Sequence, residues 1–155
     1  MSEGYWTRKL ESLEIELPDV AAPVGSYTPA VRSGAYVNTS GQLPLLDGEL
    51  LGTGKVGGDL GVDEAAVMAR QCALNALAAI DDLVGIDAIV RVVKLVGFVA
   101  SAPGFHSQPA VINAASDVLA EIFGDAGVHA RSAVGVSELP LAAPVEVELI
   151  VEVEG

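Results

Sequence analysis

One arginine stands in an apolar setting. The run His129-Ala130-Arg131-Ser132-Ala133-Val134-Gly135-Val136 sets Arg131 at the head of a strand-like segment, in a chain with only 8 Lys+Arg against 21 Asp+Glu. A guanidinium beside a buried strand is costly to desolvate unless an anion meets it. Its planar fork grips a carboxylate at two points, which lysine cannot do. The chain closes with Val145-Glu146-Val147-Glu148-Leu149-Ile150-Val151-Glu152-Val153, a strand with carboxylates at alternating positions. An anion-holding arginine and a nearby acid are the minimum for chemistry on a small carboxylate. From spacing alone, Arg131 serves equally well as the ion-pair partner of one of the chain's own acids.

The other candidate groups point to less. Glu146 is one of several alternating acids and reads, on pattern alone, as part of a solvated strand face. Ser40-Gly41-Gln42 reads as turn chemistry, and no partner in the sequence makes Ser40 a nucleophile. His106 and His129 are too few and too far apart for a metal site. Cys72, the one cysteine, rules out an intrachain disulfide and fits a buried filler among alanines. Gly52-Thr53-Gly54-Lys55 lacks the spacing of a phosphate loop, and no Ser/Thr follows its lysine.

Composition sets the class. A 155-residue chain with 51% hydrophobic residues supports one domain with a real core, built from Val, Leu, Ile and Ala because aromatics are only 5%. A net charge of -13 repels phosphate backbones and anionic membranes, so nucleic acid and membrane are excluded as expected partners. An anionic ligand then needs a local cation, which returns the argument to Arg131. The N-terminus carries Glu3, Tyr5 and Trp6 with no secretory pattern, and no window reaches the length of a membrane span, so the expected location is cytoplasmic.

The elements that must position these groups follow from periodicity. Residues 5–17 read as a short amphipathic helix stopped by Pro18, and 18–26 as a linker. Ala30 to Ser40 reads as a strand pair or one bent strand, with Gly34 marking a turn, and 47–62, with six glycines, as a loop containing a hairpin. Asp63 is the expected N-cap of a helix running to Val84, with an apolar stripe of Val67, Leu74, Leu77, Ile80 and Val84. Ala88 to Ala100 reads as a buried strand, with Arg91 and Lys94 at its rims. Ser107 to Phe123 reads as a second main helix, and Ser132 to Val136 and Val145 to Val153 as the last strands. The expected fold is an α+β sheet with two main helices on one face. In the last strand Val145, Val147, Leu149, Val151 and Val153 point one way, and Glu146, Glu148, Ile150 and Glu152 the other. Assembly with further copies is a natural cover for the second face.

In this order the pieces resemble the Rid/YjgF family, the reactive intermediate deaminases also known as endoribonuclease L-PSP-like proteins. Four stretches carry the likeness over residues 23 to 153: Gly25-Ser26-Tyr27, Ser40-Gly41-Gln42-Leu43-Pro44, His129-Ala130-Arg131-Ser132-Ala133-Val134, and Leu139-Pro140 followed by Val145-Glu146-Val147-Glu148. The resemblance implies a single domain of chorismate-mutase-like α+β fold, here preceded by an N-terminal helix and linker over residues 1–22. It implies a homotrimer with a cleft at each subunit interface, working without cofactor or metal. The implied activity is hydrolysis of enamines and imines derived from amino acids to 2-oxo acids and ammonia. By the same resemblance Arg131 clamps the substrate carboxylate and Glu146 orients or activates water. Tyr27, Ser40 and Gly41 line the cleft, and the Ala133 backbone meets the substrate nitrogen. This chain departs from the family pattern at His129, where proline is typical, and at Ala133, where many active members carry cysteine. A non-catalytic binder of small carboxylates on the same fold is the alternative. A ribonuclease ranks below it because of the acidic charge, as does a chorismate mutase, for which one arginine is thin.

Overall fold

The computed structural model describes residues 4–155. The chain opens with helix α1 (Tyr5–Ser12), shorter than the 5–17 expected from leucine spacing. Leu13 closes the helix as its C-cap, and Ile15 and Leu17 beyond it continue to pack on the core. Helix α1 is tied down from far along the chain. Asp87 accepts the backbone N–H groups of Trp6 (2.7 Å) and Thr7 (3.0 Å) and the Thr7 hydroxyl, doing the work of an N-cap for a helix that begins at glycine. Buried Trp6 donates its Nε1–H to the Ile89 carbonyl at 2.8 Å and meets Phe123 edge-on at 4.8 Å.

Of the two readings of this stretch the strand pair is the one formed: β1 (Ala30–Ser33) and β2 (Tyr36–Thr39) make a hairpin around Gly34, which takes φ 61. A second small hairpin joins β3 (Leu45–Leu46) to β4 (Glu49–Leu50) through Asp47-Gly48. Both turn residues have positive φ, the backbone that a two-residue turn of this hand demands and that Asp-Gly tolerates. Helix α2 (Val62–Val84) follows. Its N-cap is Gly61, whose N–H donates to the Glu64 side chain at 3.2 Å. Asp63 therefore does not cap: it lies inside the first turn, because Val62 is already helical. Val67 is also misplaced by the stripe expected from the sequence. It is 64% exposed, since the inward stripe runs through Ala65, Ala69, Cys72, Ala76 and Ile80.

Strand β5 (Ile89–Ala100), helix α3 (Gln108–Phe123) and strand β6 (Ala130–Val136) form a parallel crossover unit. Strand β7 (Val145–Val153) returns antiparallel between β2 and β5, giving the order β1-β2-β7-β5-β6. Register irregularities in β5 let Ile89, Val92 and Leu95, each three apart, all face inward. Val145, Val147, Leu149, Val151 and Val153 of β7 are buried against the helices as expected. The opposite sheet face is open. There β7 presents Glu146, Glu148, Ile150 and Glu152, and Val31, Tyr36 and Val134 are exposed. No helix among the described residues is long and apolar enough to cross a membrane.

The seat of α3 on the sheet is close. A Cβ added to Gly97 of β5 would lie 2.6 Å from Ile112 side-chain atoms of α3. Ile112 is fully buried and cannot yield cheaply. Gly97→Ala is therefore expected to destabilise the protein by about 1–3 kcal/mol. Urea denaturation checks this: a midpoint equal to or above that of the parent chain contradicts the packing described.

Candidate functional site

The residues expected to do chemistry fall into two groups on opposite faces of the sheet. Arg131 pairs in register with Leu95, and Leu95 with Leu149. Side chains in one cross-strand row point to one face, so Arg131 points to the helix side. There it reaches the flank of α3. One of its terminal nitrogens, Nη1, donates to Asn113 Oδ1 at 2.8 Å and to Ser116 Oγ at 3.2 Å. Both partners are neutral. Among the described residues no carboxylate pairs with Arg131, so the ion-pair reading left open by the sequence does not hold. Its Nε and Nη2, the edge that grips a carboxylate side-on, have no protein partner among the described residues. Ala133, two residues on, faces the same side and packs partly against the core. Strand β6 is an edge strand, with only β5 beside it.

His129 sits behind this arginine. Its Nδ1 lies 2.6 Å from the Gly127 carbonyl and its Nε2 lies 2.9 Å from Ser116 Oγ. The imidazole is thus part of the arginine's surroundings rather than a separate surface feature. His106, by contrast, is exposed.

The second group gathers around Glu146. Its row is Glu146, Phe98 and Val134, on the open face. Residues 41 and 42 are stitched to β7 next to it, because Gln42 exchanges both backbone hydrogen bonds with Val147 (2.8 and 3.0 Å). That contact lays Gly41 directly on the Glu146 side chain. A Cβ at position 41 would come 2.7 Å from the carboxyl carbon, so a side chain there would push the Glu146 carboxylate out of its place. Asn75 of α2 anchors the same segment by donating to the Leu43 and Leu45 carbonyls at 3.0 and 2.9 Å. Ser40 donates its hydroxyl to Thr28 O at 2.6 Å and its N–H to Pro29 O at 2.8 Å, fastening the stretch that follows Tyr27. Tyr27 is 47% exposed, and its hydroxyl accepts the Val24 N–H at 3.1 Å. Tyr27 and Gly41 line one small depression of ≈ 20 Å³.

Partial burial raises the pKa of Glu146 above the ordinary glutamate value, and the charge of Glu148 adds to the shift. Such a carboxyl holds and returns a proton nearer neutrality than a solvated one does. The Cys72 thiol is pushed up by burial and donates to Val145 O at 3.9 Å, as suits a core filler.

Within one chain the two groups cannot meet. Arg131 and Glu146 are two strand spacings and three residues apart, about 14 Å between Cα atoms, with side chains on opposite faces. The structure brings Tyr27, Ser40, Gly41 and Glu146 to one region and leaves Arg131 and Ala133 in another. A larger cavity, ≈ 700 Å³, includes none of these residues. Its walls include Glu16, Asp19, Asp47, Leu45 and Leu46, with no cation to receive a carboxylate. Among the described residues no group of three His, Cys, Asp or Glu is placed to hold a metal. Asn113, Ser116 and Asn75 were invisible as site residues in the sequence. The only signal was a pair of polar positions three apart on the flank of the α3 apolar stripe.

Comparison with known proteins places this geometry among relatives. The family model described as "YjgF/chorismate mutase-like, putative endoribonuclease" matches residues 7–153. Protein TCP17 of Trypanosoma cruzi is 43% identical over 154 residues, covering 98% of this chain and 96% of that protein. The crystal structure of Atu1372 from Agrobacterium tumefaciens has a TM-score of 0.87 at 40% identity, covering 97% of this chain and 93% of that one. That of a putative endoribonuclease from Shewanella oneidensis MR-1 has a TM-score of 0.91 at 35% identity, covering 96% and 99%.

The raised pKa of Glu146 has a consequence for stability. Its folded-state pKa lies above the unfolded value. The fold therefore favours the protonated form, and its contribution is fully present below the unfolded pKa and is lost as pH rises through the folded pKa. Glu146→Gln is expected to match the parent chain in acid and to exceed it at neutral pH. The gain is less than about 1 kcal/mol, because solvent screens the exposed part of the carboxyl. Thermal unfolding at the two pH values measures it. A variant less stable than the parent at neutral pH contradicts the assignment.

Proposed function

Because the chain belongs to the YjgF/chorismate mutase-like family, we propose that it is an enamine and imine hydrolase acting on small 2-imino and 2-enamino carboxylates. The observation that carries this reading is the state of Arg131. In a chain of net charge -13, a half-buried guanidinium with only neutral partners and a free side-on edge fits an external carboxylate.

The chemistry follows from the two groups. Arg131 holds the carboxylate and so fixes the imine carbon next to it. That carbon is electrophilic, more so when its nitrogen is protonated. Glu146 takes a proton from the attacking water as the C–O bond forms and returns it to nitrogen as the C–N bond breaks, while the carbinol hydroxyl gives up its remaining proton to the departing ammonia as the C=O bond forms. The products are a 2-oxo acid and ammonia. Ser40, Gly41 and Tyr27 shape the wall on the Glu146 side, and the backbone at Ala133 is offered to the substrate nitrogen. No step calls for a metal or a cofactor.

Since the groups lie on opposite faces of one sheet, the working site takes Arg131 from one copy and Glu146 from another. A homotrimer with a cleft at each interface meets that need. It would also cover Val31, Tyr36 and Val134 on the open face. The name endoribonuclease borne by the family and by the Shewanella relative finds less support. The Glu146 face carries Glu148 and Glu152 as well, and would repel a phosphate backbone.

The test is imine hydrolysis. An amino acid oxidase generates imines in place from a panel of amino acids, with semicarbazide as trap. The protein is expected to lower semicarbazone formation, and Arg131→Ala to lose the effect by about 100-fold or more. Arg131-dependent binding of small carboxylates without turnover would replace the hydrolase by a binding protein. RNA cleavage that survives Arg131→Ala would restore the nuclease.

A further inference from the structure

The brace behind Arg131 uses residues that neither the family reading nor the sequence assigns. The bonds fix their own direction. The Gly127 carbonyl can only accept, so His129 Nδ1 carries a hydrogen and donates to it. In the neutral ring Nε2 then has a lone pair, which accepts the Ser116 hydroxyl hydrogen at 2.9 Å. The Ser116 oxygen is left with lone pairs, one of which receives the Arg131 Nη1–H at 3.2 Å. The second Nη1 hydrogen goes to Asn113 Oδ1. Nη1 is thus saturated from the protein side, and every donor in the row from Arg131 through Ser116 to His129 points the same way.

We propose that Ser116 and His129 are positioning residues that lock the Arg131 guanidinium so that its Nε–Nη2 edge faces a planar carboxylate. This deepens the reading above and rests on Arg131 being the carboxylate clamp. A guanidinium on a flexible stem loses entropy each time it is fixed by a ligand. One fixed in advance by Asn113, Ser116 and His129 does not. The His129 imidazole sets the direction of the Ser116 hydroxyl. The same O–H···N contact serves a nucleophile and its base elsewhere. Here the serine oxygen is engaged by a cation, which makes it a brace and a poor nucleophile.

A positioning role acts on ground state and transition state alike, so it moves KM and ligand affinity while leaving kcat near its value. A merely structural role would lower the active fraction and leave KM unchanged. The experiment titrates the intact protein with pyruvate, the product expected from 2-iminopropanoate, and measures KM and kcat for the imine in parallel. Ser116→Ala is expected to weaken pyruvate binding and raise KM about tenfold, and His129→Ala about threefold. Ser116→Thr, which keeps the hydroxyl, is expected to restore both. NMR of the His129 ring in the ligand-free protein gives a readout that needs no activity. It should find Nδ1 protonated and Nε2 accepting, with the Nε2 signal moved by Ser116→Ala. Parent-like affinity in Ser116→Ala, alongside lost affinity in Arg131→Ala, overturns the brace and keeps the clamp. Parent-like affinity in Arg131→Ala overturns the clamp itself. A ring protonated on Nε2 in the neutral state overturns the brace whatever the ligand does.

Discussion

Helix α3 lies so near β5 that the sheet must offer it a glycine. Gly97 meets Ile112 with no room for a methyl group. Much else follows from this close approach. Ile112 enters the core, so the next residue, Asn113, emerges at the flank, and Ser116 follows three positions later on the same side. With the helix seated close, these two short side chains span the gap to Arg131 on the edge strand. Were α3 held off by a side chain at 97, Asn113 and Ser116 would be too short to reach. The packing constraint and the setting of Arg131 are one feature of the fold.

A second constraint comes from the two faces of the sheet. The helix side takes the valines and leucines of β7, and the open side takes its glutamates. Arg131 belongs to the first face and Glu146 to the second, so the two cannot meet within one chain. Each is held by its own set of neighbours. Arg131 is braced by neutral partners that leave its charge unspent. Glu146 is pressed against Gly41 by a loop that Gln42, Asn75 and Ser40 hold at three separate points. A carboxyl kept partly out of water beside another acid is a strained arrangement, and the fold gains nothing from it.

Much of this was legible in the sequence where one periodicity dominates. The alternation of β7 and the helical rhythm of Val111, Ile112, Ala115, Val118, Leu119 and Ile122 both keep their meaning in the structure. The rest was hidden for identifiable reasons. In β5 the register irregularities space the inward residues by three, so alternation misreads its first half. Helix α2 buries alanines and a cysteine, and a pattern read from large aliphatics therefore put Val67 inside. The cap of α1 is Asp87, 80 residues away, and the partners of Arg131 are 15 and 18 residues away across a helix crossover. Spacing carries no information about such contacts. The family resemblance supplied the names of Tyr27, Ser40, Gly41 and Glu146, and the structure supplied the neighbours that hold them.

The central claim is that Arg131 of one copy works with Glu146 of another. Mixing two inactive variants tests it most directly. Arg131→Ala and Glu146→Ala are unfolded together, refolded as one pool and assayed for imine hydrolysis. An interface then has both native groups wherever a Glu146→Ala chain supplies the arginine and an Arg131→Ala chain the glutamate, so the pool should regain about a quarter of the parent activity. A pool of folded, co-assembled chains that stays as inactive as its components would contradict the account.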